Sequence, residues 1–192
     1  MIEVYYTTSN QGSFGLETTE EKVKSSIGGY KSSSLVVNDE FNNLFPDVSM
    51  LSGSNERYVN NFIALALLNN SNSEIENVNI WISKGDEENF QSKIYLSAIA
   101  FNESGKMERI PTQNSKPVYS SFEEYSEDSK LVIDSLEAGQ TIGLWIWREL
   151  LPDVIKSQYE LDIVADTENP KLVKENELGT KDSFSLEIEW DD

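Results

Sequence analysis

Hydrophobic and polar positions alternate along much of this chain. "SFSLEIEW" (183–190) sets Phe184, Leu186, Ile188 and Trp190 on one side and Ser185, Glu187 and Glu189 on the other. "QYELDIVAD" (158–166) and "NVNIWIS" (77–83) repeat the pattern, with Tyr159, Leu161, Ile163 and Ala165, then Val78, Ile80 and Ile82, on the apolar side. Period two is the signature of a strand with one wet face. Three other segments are apolar on both sides: "FIALALL" (62–68), "KIYLSAIAF" (93–101) and "TIGLWIW" (141–147). A strand of that kind needs cover on both faces, so these are expected at the centre of a sheet, under a loop or under a neighbouring subunit. "IEVYYT" (2–7), "SSLVV" (33–37), "PVYSSF" (117–122) and "LVIDSL" (131–136) are further strand candidates.

The breaks between strands are polar. "NNSNSEIEN" (69–77) predicts a hairpin joining the 62–68 and 77–83 strands. "KGDEEN" (84–89), "NESGK" (102–106) and "EAGQ" (137–140) read as glycine turns, and 167–182 as a longer loop. Gly28 and Gly29 in "SIGGYKSSS" mark a loop needing backbone freedom. Helix signals are few: a capping pattern in "LETTEEKVKSS" (16–26) and a short candidate in "SSFEEYSEDSK" (120–130). The expected fold is all-β, an Ig-like antiparallel β-sandwich with an irregular N-terminal arm. Residues 1–50 form the first strand and arm, and 51–192 the sandwich domain. The arm or a neighbouring subunit is expected to cover the doubly apolar 62–68 strand.

Composition narrows the chemistry. The 192 residues hold 34 Asp and Glu against 15 Lys and Arg, a formal net charge of −19. That charge repels nucleic-acid phosphates and offers no basic face to an anionic membrane. Any assembly must overcome the repulsion or meet a basic partner. There is no Cys and no His, which removes thiol nucleophiles, disulfides, Cys/His zinc sites and His bases. "MIEVYYTTSNQ" has neither the basic nor the apolar region of a signal peptide. The sequons at Asn69 and Asn102 are discounted accordingly. The acidic runs "FEEYSED" (122–128) and "GDEEN" (85–89) lack EF-hand spacing and read as solvated loops, so no metal or cofactor is assigned.

Two clusters stand out as candidate contact residues. "WIWRELLP" (145–152) brings Trp145, Trp147 and Arg148 together, either as a ligand platform or as core and interface packing. "NNLFPDVS" (42–49) carries Leu44, Phe45 and Pro46 as an apolar plug, docking on this chain's own sheet or on a neighbour. A carbohydrate-binding or adhesion module using Trp81, Tyr119, Trp145 or Trp147 is the alternative function. A hydrolase working with a carboxylate pair is a third.

The ordered set "SIGGYKSSS", "FNNLFPDVS", "NERYVNNFIALALLNNSNSEIENVNIWIS", "SLEAGQTIGLWIWRELLP" and "SFSLEIEW" resembles a family of virion structural proteins of tailed bacteriophages. The matching positions are Gly28–Gly29, Asn43 to Phe45, Leu68–Asn69, Asn77 to Ser83 and Ala138 to Pro152, and they span most of the chain. Where the family carries an arginine pair, Arg148 is followed by Glu149. The resemblance implies a non-enzymatic building block of the particle, located in the virion. It would contact other virion proteins or further copies of itself.

Overall fold

The computed structural model describes residues 1–11, 18–36, 44–45, 59–85, 92–150 and 184–191. Its strands are β1 (Ile2–Thr8), β2 (Gly28–Leu35), β3 (Val59–Asn69), β4 (Ile75–Lys84), β5 (Ser92–Ala100), β6 (Lys106–Arg109), β7 (Leu131–Leu136), β8 (Thr141–Leu150) and β9 (Phe184–Asp191), with one short helix, α1 (Thr19–Ser25). Sheet A runs β5-β8-β3-β1-β2-β6 and sheet B runs β7-β4-β9. All strand pairs are antiparallel. The architecture is all-β and sandwich-like, as the alternation predicts.

The core lies between the sheets. Ile63, Leu65 and Leu67 of β3, Leu144 and Ile146 of β8, and Ile94 and Leu96 of β5 face Val78, Ile80 and Ile82 of β4. Phe184, Leu186, Ile188 and Trp190 of β9 pack against them, on the side their alternation assigns. Ile75 joins this core although it lies three positions from Val78. The register slips between Glu76 and Asn79, and Asn77 has φ 49. This bulge restores the phase that an odd spacing breaks.

The doubly apolar 62–68 strand is β3, between β8 and β1 in the middle of sheet A. Its even-numbered residues form a second, smaller core on the outer side. There Phe62, Ala64 and Trp145 pack with Ile27, Met107 and Ile110, and Phe122 and Trp147 close over them. Cover for the second face therefore comes from this chain, from the α1–β2 junction and the excursion that includes β6. Of the described residues in 1–50, the α1–β2 junction supplies part of that cover as expected, while β1 and β2 are strands of sheet A itself.

Beyond Tyr6, where β1 stops pairing with β3, other groups take over the β3 edge. Ala64 N–H donates to Ser26 O (2.7 Å) and Phe62 N–H to Gln113 O (2.7 Å). The Ser26 hydroxyl donates to Ala64 O (2.5 Å) and accepts from Thr7 N–H (2.8 Å), and Gly28 N–H donates to Thr7 Oγ1 (3.0 Å). These buried polar groups satisfy one another, which lets the junction sit inside the molecule. α1 carries the expected cap. Thr18 Oγ1 accepts Glu21 N–H, and the Glu21 carboxylate accepts Thr18 N–H (2.8 Å), which holds its pKa below the usual range.

Several expectations are corrected. Residues 69–77 do not close a hairpin: β3 lies in sheet A and β4 in sheet B, so the segment is an arch between sheets. Asn69 holds that arch. Its buried side-chain amide donates to Ser73 O (2.9 Å), Leu136 O (2.9 Å) and Glu137 O (3.1 Å), while its Oδ1 accepts from Ser71 N–H (3.0 Å). Residues 117–122 are not a strand, because Pro117 supplies no N–H and the following amides are taken by a side chain described below. Residues 120–130 are not helical. They form a clasp, in which Glu123 exchanges backbone bonds with Leu96 of β5 (2.9 and 3.2 Å) and Tyr125 O accepts from Ile82 of β4 (3.2 Å). With no apolar stripe to bury, the segment ties the edge strand of sheet A to the central strand of sheet B instead. Gly28 and Gly29 open β2 rather than a free loop. The 158–166 strand, the 167–182 loop and most of 84–89 lie outside the described residues.

Candidate interaction surface

Sequence neighbours on a strand face opposite ways, and this separates the candidate residues. In β8, Trp145 and Trp147 point to the outer face of sheet A and Arg148 to the inner. Trp145 is wholly buried in the outer cluster. Its indole N–H has no hydrogen-bond partner there, so ring packing must offset that cost.

Trp147 lies in a row fixed by register, opposite Phe62 of β3 and Tyr95 of β5. Tyr95 stacks on it at 4.3 Å and 22°, and Phe62 at 5.6 Å and 20°. Phe122 meets it edge-on at 5.6 Å, and Lys116 Nζ sits 5.1 Å from its ring centre. Trp147 Nε1 donates to Asn60 Oδ1 (2.8 Å). A ring flanked in this way has little face left for a sugar.

Tyr95 ends the row. Its hydroxyl donates to Glu149 (3.1 Å), and burial, that bond and the nearby Glu149 and Glu124 charges push its pKa up to about 12. The raised value means the fold favours the protonated phenol. The stability it contributes is complete below the ordinary value of 10 and is lost as pH rises to about 12. Ultraviolet titration is expected to show a tyrosine ionising near pH 12. Tyr95→Phe should abolish that late step and flatten the fall in stability over the same window.

Arg148 occupies the inner end of the core. Its Nη2 donates to Asn61 Oδ1 (2.6 Å), Asn61 Nδ2 donates to Asn114 Oδ1 (3.0 Å), and the guanidinium lies 4.9 Å from the Phe45 ring. Phe45 is buried and Leu44 packs beside the same cluster, so the plug seats on this chain's own sheets. Pro46 lies outside the described residues. Phe45 and Arg148 thus meet, Trp147 stands apart from them across the sheet, and Trp145 is enclosed.

Sequence reasoning overlooked Glu108. It belongs to β6, which the hydrophobic pattern does not announce. Its two carboxylate oxygens accept Val118 N–H (2.5 Å) and Tyr119 N–H (3.0 Å). Those two residues are 79% and 83% exposed, although the preceding Pro117 is buried. β6 reaches this position because Gly28 and Gly29 allow it. Both have positive φ, and a Cβ on Gly28 would stand 1.9 Å from Glu108 O. At Gly29 it would stand 2.4 Å from Thr8 O. The glycine pair lets β2 fit between β1 and β6, β6 carries Glu108, and Glu108 fixes the apolar pair. Tyr119 was legible only as a possible sugar platform, and Val118 only as part of a strand.

Among the described residues, no group of three or more His, Cys, Asp or Glu side chains is placed to hold a metal ion. None of their helices is long and apolar enough to cross a membrane. No family model, curated protein or solved structure matches the chain.

Proposed function

We propose that this chain is a non-enzymatic structural component of a tailed-bacteriophage virion, held in the particle by contacts with other virion proteins or further copies of itself. The observation that carries the reading is the Val118–Tyr119 pair, exposed yet pinned by its backbone to Glu108. Holding apolar side chains fixed in solvent lowers the ordering cost of a protein contact. The order of the sequence motifs supplies the particle. Capsid accessory, neck and tail positions all fit this chemistry.

The carbohydrate reading gains less. It needs two exposed, nearly coplanar rings, and among the described residues Tyr119 is the one aromatic that is mostly exposed. Trp81 is buried, with Lys130 Nζ 4.2 Å from its ring centre. Mass spectrometry of purified particles encoding this chain tests the proposal. Many copies per particle are expected, and a chain found in the infected-cell lysate but missing from particles would overturn it.

A further inference from the structure

We draw no further inference here: the strongest candidate, the cleft of about 360 Å³ beside the β5–β6 turn lined by Gln11, Tyr30, Lys31, Phe101, Gly105 and Thr141, has no buried lining residue, and its charged member, Lys31, already lies 3.9 Å from the Tyr5 ring centre, so nothing in the structure selects a ligand for it.

Discussion

Asn69→Asp is expected to destabilise the protein by about 3–5 kcal/mol, the range for a buried charge left without a partner. The substitution changes one atom. The Asn69 amide nitrogen donates to three carbonyl oxygens, those of Ser73, Leu136 and Glu137. A carboxylate in its place would face three acceptors in a site with no solvent exposure. Protonation would silence the charge and still satisfy only one of them. The arch from sheet A to sheet B and the turn after β7 would lose their shared tie together. For a chain of this size the melting temperature should fall by roughly 6–20 °C. Asn102→Asp is the control. Asn102 uses its oxygen, which accepts from Ser104 N–H (3.0 Å) and Lys106 N–H (3.1 Å), so Asp keeps both bonds. A change within about 0.5 kcal/mol is expected there. Equal effects at the two sites would show that the Asn69 amide donors carry no weight.

Gly28→Ala is expected to cost on the order of 3–5 kcal/mol, at the upper end of single substitutions. Two penalties combine. A side chain at φ +89 is strained, and its Cβ would stand 1.9 Å from the Glu108 carbonyl oxygen, which is backbone and cannot swing aside. β2 and β6 would have to separate. The damage should therefore reach beyond β2: hydrogen exchange at the Val118 and Tyr119 amides should quicken, because Glu108 moves with β6. Gly105→Ala isolates the strain. It has φ +70 but open space around its Cβ, so it should cost only about 1–2 kcal/mol and leave those amides protected.

The strands with clear alternation or long apolar runs were legible because burial on one or both faces is written into their residues. β9 and β3 are the clearest cases. What escaped was pairing. Nothing in "NNSNSEIEN" distinguishes a turn between neighbouring strands from an arch between sheets, since both need polar, flexible residues. β6 is too short, at four residues, to show a period. The 121–130 clasp is held by backbone bonds that leave no side-chain pattern. The separation of Trp147 from Arg148 was legible in principle, because adjacent residues on a strand face opposite ways. The plug was legible as apolar, but its seat depended on the tertiary fold. The Glu108 clamp could not be seen, since it joins a carboxylate to the amides of residues ten and eleven positions on, and an amide carries no mark in the sequence.

The strand order also sets a timetable. A ribosome releases this chain from its N-terminus, so β4 emerges long before β9, which lies along it over Glu76 to Lys84. Until then β4 has β7 on one side, and the slot for Phe184, Leu186, Ile188 and Trp190 is unfilled. The nascent protein must pass through a stage with sticky backbone and grease exposed together, the condition in which β proteins clump. Nascent copies on neighbouring ribosomes would be most at risk during that wait, and the −19 charge is then of use in keeping them apart.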